Sequence, residues 1–392
     1  MSYTIGVIAF VVALLASVML HEAGHFLTAK HYGMKASRFF LGFGPTLWSF
    51  RRGETEYGVK ALPAGGFVKI EGMTALEEMP PGEESRAFHR QPAGQRAVVL
   101  AAGSTVHFII AIFLVFGVIA ATHKDPVAAS ISIDRVGPCV PAGARTQCLP
   151  SDPKSPAVGV LQRGDIVTGI NGVSTDSPDR VGRIIQAHPG EPVTLDVRRD
   201  GKPITVTVVP AAVNDHGRTI GRIGITQELV AKHVSLASSV PRTFGVLGDF
   251  VTSTVHALGG LPHEVAQIFQ GEKRSANSAA SIVDVGRVSG QIASSGASTG
   301  SIVATLLLIV AELNLFVGIF NLLPLLPLDG GHIAILAFEE ARSRAYRLFG
   351  RRDPGRVDIM KVLPLTYAVV AVFVGLSLIL LYAGITNPIT LQ

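Results

Sequence analysis

Four apolar runs, each long enough to cross a bilayer as a helix, constrain this chain more than any other feature. A helix rises about 1.5 Å per residue, so about 20 residues cover a hydrocarbon core of about 30 Å. The runs are Ile5–Ala29, broken by one polar cluster, then Ala97–Ala121, Ile302–Leu328 and Val362–Ala383. Composition agrees, because 48% of the 392 residues are hydrophobic and only 16% are charged, outside the range of an ordinary soluble domain. The prediction is a polytopic α-helical membrane protein with four transmembrane helices. The first run is read as a retained helix, since Met1–Thr4 carries no positive charge and no small-x-small cleavage site follows the apolar core.

Lys and Arg near span ends are retained in the cytoplasm, which orients the chain. Lys30, Lys35, Arg38, Arg51, Arg52, Arg86, Arg90 and Arg96 lie between the first two spans. Arg342, Arg344, Arg347, Arg351, Arg352, Arg356 and Lys361 lie between the last two. Residues 30–96 and 329–361 are therefore expected in the cytoplasm, with both termini, the tail 384–392 and the long middle segment outside. The formal charge of +5 is a topology signal and requires no nucleic-acid partner. The two cysteines, Cys139 and Cys148, both fall in the segment assigned to the outside, where a disulfide between them persists.

The segments between spans differ in character. Residues 30–96 alternate apolar residues with glycines, as in Arg38–Pro45, Thr55–Leu62 and Gly65–Ile70, and predict membrane-associated hairpins with an edge at 55–70 open to an extended peptide. In residues 122–230, Val193–Arg198 and Ile204–Val209 flank the turn Arg199–Lys202, a hairpin signal. Leu161–Gly172, followed by a helix-like stretch near Val181–Ala187, resembles the heart of a PDZ domain, which makes the outside segment an extracytoplasmic α+β module. In residues 231–301, an amphipathic helix over Pro241–Gln270 precedes a linker over Ser275–Ser301.

The chemistry sits in the spans themselves. His21-Glu-Ala-Gly-His25 places two imidazoles four residues apart, on one face of a helix, with Glu22 next to any ion they hold. Ionisable residues in a bilayer are costly, so their presence in an apolar run points to a site. His31 would complete the 1, 5, 11 spacing of a three-histidine site, but Thr28 occupies the place where that arrangement turns on a Gly. The stronger third ligand is Asp329, in Asn321-Leu-Leu-Pro-Leu-Leu-Pro-Leu-Asp-Gly-Gly-His332. There Pro324 and Pro327 break the third span and the glycines permit an unusual backbone. His21, His25 and Asp329 form a donor set for one Zn2+ per chain.

HExxH in the first span, Gly42-Phe-Gly-Pro45 after it, the PDZ-like insert and the Asn321–His332 motif together resemble the site-2 protease family, in its PDZ-bearing bacterial branch. The similarity covers nearly the whole chain, with Pro241–Ser301 the weakest part. It implies an intramembrane zinc metalloprotease in the bacterial inner or plasma membrane, with its active site near the cytoplasmic side. The implied substrates are single-span transmembrane proteins such as anti-sigma factors, cut after a first extracytoplasmic cleavage. Glu22 takes the role of catalytic base and Asn321 that of substrate-backbone holder. The chain departs from the family at Ala102-Gly-Ser-Thr-Val-His107, where a Pro and an Asn are replaced by Ser104 and His107. His107 and Glu312 are expected in polar contacts within the helix bundle. A metal transporter and an inactive PDZ scaffold are the competing readings, opposed by a single compact ligand set and by an intact Glu22.

Overall fold

A computed structural model describes residues 2–73, 77, 79, 82–141, 148–174, 178–215, 218–270, 274, 280–352, 355–357 and 359–389. In chain order its elements are α1 (Tyr3–His31), β1 (Ala36–Arg52), β2 (Thr55–Ile70), α2 (Ala93–Thr122), β3 (Lys124–Val136), β4 (Ile166–Ile170) and β5 (Val173–Ser174). Then come α3 (Pro178–Ala187), β6 (Val193–Arg199), β7 (Lys202–Val208), β8 (Ala211–Asp215), β9 (Arg218–Arg222) and β10 (Ile225–His233). Five helices follow: α4 (Leu236–Gln270), α5 (Ile282–Ser294), α6 (Thr299–Asn321), α7 (Asp329–Leu348) and α8 (Ile359–Thr386). Among the described residues, four helices are long and apolar enough to cross a membrane: α1, α2, α6 and Met360–Thr386 of α8. The chain divides into two units, residues 1–118 with 243–392, and residues 119–242.

The first unit is built on the apolar helices and one sheet. β1 and β2 each fold back on themselves: 36–41 pairs with 66–70 on one side and with 56–59 on the other, while 46–52 pairs with 55–60. The sheet therefore runs 66–70, 36–41, 55–60, 46–52. The open edges are 66–70 and 46–52, which corrects the expected single edge over 55–70, since Tyr57, Gly58 and Val59 are paired on both sides. A buried cluster of Ala29, Met34, Ile70, Phe88, Val99, Leu100 and Leu336 ties the ends of α1 and β2 to the start of α2 and to α7.

Three expected boundaries shift. The third span ends as helix at Asn321, seven residues short of Leu328, because Pro324 and Pro327 lack the N–H groups that would continue it. Residues 329–361, expected as a loop, begin with the 20-residue helix α7. Part of the expected linker is α5, opened by a capping box in which Ser281 Oγ accepts from Asp284 N–H and the Asp284 carboxylate accepts from Ser281 N–H. Arg274 and the partly exposed Arg287 neutralise the buried Asp284. Glu312, expected in a bundle contact, is exposed on α6 and its side chain makes no hydrogen bond or ion pair among the described residues.

The second unit is a sheet in the order β10-β3-β4-β6-β7, with β5 paired to β4, plus the hairpin β8–β9. Its core buries Ile131 and Ile133 of β3 and Leu195 and Val197 of β6 from alternate strand positions, with Val167 and Ile170 of β4 on either side of a register shift, closed by Val181 and Ile185 of α3. Cys139 and Cys148 are joined by a disulfide.

Beside this core, Arg199 donates to both carboxylate oxygens of Asp165, from Nε at 2.9 Å and Nη2 at 2.7 Å. The bidentate contact holds the Asp165 carboxyl below the usual carboxylate range. A lowered folded-state pKa gives stability that is present above the unfolded value and lost as pH falls through the folded one. Asp165→Asn is expected to cost about 2 kcal/mol, less than a fully buried pair because the guanidinium is partly open to water. Thermal unfolding of the detergent-solubilised chain at neutral pH checks this, and a melt unchanged from wild type would show that the pair contributes nothing.

Candidate metal centre

The first unit brings together the residues that the sequence leaves some 300 positions apart. His21 and His25 are one turn apart on α1 and both are buried, because their faces pack on α2. Asp329 starts α7, delivered by the irregular turn Leu322–Leu328 that follows the broken span. A Cβ at Gly330 would lie 2.2 Å from the Leu322 carbonyl oxygen, so only Gly lets α7 begin that close to the turn. The donor separations are 3.1 Å between the two Nε2 atoms, 3.6 Å from His21 Nε2 to Asp329 Oδ2 and 3.3 Å from His25 Nε2 to Asp329 Oδ2.

Those distances decide what the cluster fits. Zinc holds nitrogen and oxygen donors at about 2.0–2.1 Å in a tetrahedron, which places neighbouring donors about 3.3 Å apart. The three edges found here bracket that value. Asp329 Oδ2 is buried without a hydrogen-bond partner, a costly state for a carboxylate oxygen unless a cation faces it. His25 Nδ1 lies 2.7 Å from the Val99 carbonyl oxygen, which can only accept, so Nδ1 carries the proton and Nε2 the lone pair.

Glu22 projects beside this cluster. Its Oε2 accepts the Val68 N–H at 2.9 Å, so the carboxylate is tethered to the open edge strand 66–70. α2 presses closely on the other side, where a Cβ at Gly103 would lie 2.4 Å from both His21 Cε1 and His25 Nε2. Further along the same helix, His107 packs its ring 4.9 Å from that of His21 and its Nδ1 lies 2.7 Å from Asn314 Oδ1. Asn321 ends α6, partly exposed and without a side-chain hydrogen bond among the described residues. His31 is exposed at the end of α1, its ring against Tyr32, and stands outside the cluster.

Val68, Val99, Gly103 and Ser17 are the residues near the site that sequence reasoning passed over. Val68 and Val99 act through backbone atoms, which no residue type announces. Gly103 carried a readable signal, a glycine one turn from His107, and Asn314, an amide inside an apolar span, makes the polar bundle contact that its place suggests.

Two imidazoles and a glutamate on a helix apolar enough for a bilayer, with a carboxylate brought to them at zinc spacing by the start of α7, define the class as a membrane zinc metalloprotease. The model of Peptidase family M50 matches residues 9–352. Zinc metalloprotease Rip1 of Mycobacterium tuberculosis is 35% identical, with 100% of both chains covered. Zinc metalloprotease Rip1 of Mycolicibacterium smegmatis is 31% identical over 100% of both. Zinc metalloprotease RasP of Geobacillus kaustophilus is 28% identical over 86% of this chain and 90% of that one. The chain belongs to peptidase family M50, the site-2 proteases, and is a zinc metalloendopeptidase.

Proposed function

We propose that this protease hydrolyses peptide bonds within the membrane span of single-pass proteins, of the anti-sigma-factor kind, after a first cut has removed their extracytoplasmic part. The observation that carries the reading is Glu22, which lies beside the three-donor cluster on an apolar helix and is hydrogen-bonded to an open strand edge. His21, His25 and Asp329 hold the zinc. When bound, zinc supplies a Lewis acid that polarises the scissile carbonyl and makes a neighbouring water acidic. Glu22 accepts a proton as the water oxygen bonds to the carbonyl carbon, then returns it to the amide nitrogen as the C–N bond breaks.

A helical substrate hides its amides in hydrogen bonds, so it must unwind before attack. The edge 66–70 offers the unwound segment backbone partners next to Glu22, by strand addition. Asn321, at the break before Asp329, is the candidate to hold the substrate backbone. By the basic-loop argument both termini lie outside and the site lies toward the cytoplasm. Residues 122–230 act as a PDZ-like module that admits substrates lacking a bulky ectodomain.

The test is cleavage in detergent of a tagged single-span substrate, with and without its extracytoplasmic domain. Cutting inside the span of the shortened form alone is expected. Equal cutting of both forms sinks the size-filter role, and cuts confined outside the span sink the proposal of intramembrane hydrolysis.

A further inference from the structure

α7 and the start of α8 enclose a groove that the reaction described above does not use. Its volume is about 340 Å³, and all eleven residues that line it are apolar. Leu325 and Leu326 come from the turn after α6, Ile335 and Phe338 from α7, and Val362 and Leu365 from α8. Phe338 is 57% and Leu365 61% exposed, so the groove is open to its surroundings along these two. α8 is apolar enough to cross a membrane from Met360 onward, and its wall residues run from Val362 to Val369. The groove therefore reaches from the headgroup level of that span about 10 Å toward the hydrocarbon. An extended peptide laid in it would strand N–H and C=O groups against apolar walls, whereas a hydrocarbon chain leaves nothing unpaired.

The border of the groove is basic. Arg342 lies over the Phe338 ring, 5.5 Å from its centroid. Its Nη2 donates to the Gly355 carbonyl at 2.6 Å, and its Nε is buried with no hydrogen-bond partner. Arg356 and Lys361, both exposed, directly precede the wall residues Val357 and Val362. Glu339 and Glu340 are already paired: Glu339 accepts the Val357 N–H at 2.9 Å and stands 3.7 Å from Arg96, and Glu340 stands 3.8 Å from Arg344. Over residues 339–361, seven Lys and Arg face four Asp and Glu in the sequence. Basic side chains at headgroup level beside an apolar slot between helices suit a ligand with a phosphate at one end and an acyl chain at the other.

We propose that this groove is a binding site for an anionic phospholipid, with one acyl chain between α7 and α8 and the phosphate on Arg342 and Lys361. The inference goes beyond the proposed function and does not depend on it. It sets the lipid against the segment that delivers Asp329. Gly331 lines the groove, and a Cβ there would lie 2.6 Å from the Leu325 carbonyl carbon and the Leu326 nitrogen, so turn and helix meet at that wall. Leu328 N–H donates to the Leu325 carbonyl at 2.9 Å and Gly331 N–H to the Leu328 carbonyl at 3.0 Å, on either side of Asp329. The acyl chain thus touches the turn and leaves His21, His25 and Asp329 free, since none of them lines the groove.

The test is native mass spectrometry of the whole chain released from micelles doped with phosphatidylglycerol or with phosphatidylcholine, for wild type, Ala334→Trp, Leu365→Trp and Arg342→Gln. Wild type is expected to retain one phosphatidylglycerol per chain and roughly 25-fold less phosphatidylcholine, about fivefold for each of Arg342 and Lys361. Ala334 lines the groove on α7, so Ala334→Trp fills it and is expected to lose the bound lipid. Leu365→Trp blocks the exposed side and carries the test if Ala334→Trp does not fold. Arg342→Gln keeps the groove and is expected to retain about fivefold less phosphatidylglycerol, the share of one basic residue at a membrane surface. Undiminished phosphatidylglycerol on the Trp variants would overturn the proposal, because the lipid would then sit elsewhere on the apolar surface. Equal retention of the two lipids by wild type would overturn the anionic headgroup. Loss of the lipid on addition of a shortened single-span substrate would give the groove to a substrate span and overturn the proposal as well.

Discussion

Glu22→Gln protein is expected to keep its zinc and lose about 10²–10⁴-fold in cleavage rate, the usual share of a general acid–base group. The substitution exchanges one carboxylate oxygen for an amide nitrogen without changing shape. The remaining oxygen still accepts the Val68 N–H that now holds Oε2 at 2.9 Å, so the side chain stays beside the cluster. Glu22 is absent from the three-donor group, and zinc content should therefore not move. What disappears is the site that takes the water's proton and returns it to the leaving nitrogen. Purified wild type and variant, assayed on a shortened single-span substrate with zinc measured in both, decide the matter. Zinc lost along with activity would make Glu22 a ligand or a structural prop. Activity retained would remove it from the reaction.

How much of this site was legible in the sequence depends on which atoms do the work. His21, Glu22 and His25 lie within five residues on one helix, so spacing alone places two imidazoles on one face. Asp329 was legible because two prolines break an apolar run just before it and two glycines follow, an arrangement that makes little sense in a plain membrane helix. The folding-back of β1 and β2 was not legible. Alternation and glycines mark strands, yet nothing local says that 55–60 will be paired on both sides and 66–70 on one. Pairing is a tertiary choice, here set by where α1 and Glu22 meet the sheet. α5 was missed for a related reason. Its Ser and Gly content reads as a linker in isolation, but a Cβ at Gly290 would lie 2.6 Å from the Tyr3 ring, so small residues serve close helix packing. Glu312 went the other way: an intramembrane carboxylate suggests a partner inside the bundle, and α6 turns it outward.

Gly103→Ala offers the second large effect, and it tests the geometry rather than the chemistry. The new methyl carbon would stand 2.4 Å from His21 Cε1 and from His25 Nε2, whereas carbon-centred contacts relax only near 3.5 Å. Neither side yields easily. The methyl is fixed to the α2 backbone, and His25 is pinned through Nδ1 to the Val99 carbonyl on that same helix. About 1 Å of displacement must therefore fall on the two nitrogens whose separation from Asp329 matches a zinc tetrahedron. Misplacement of that size costs about 10²-fold in catalysis, and zinc affinity should fall with it. Gly117→Ala, on the same helix with nothing within 4 Å of the added carbon, is the control for a Gly to Ala change as such. Zinc per chain and cleavage rate, measured on both variants, should drop for Gly103→Ala alone. If the two variants behave alike, the imidazoles are free to move off α2. The close approach of that helix would then not be what sets the spacing of the metal donors.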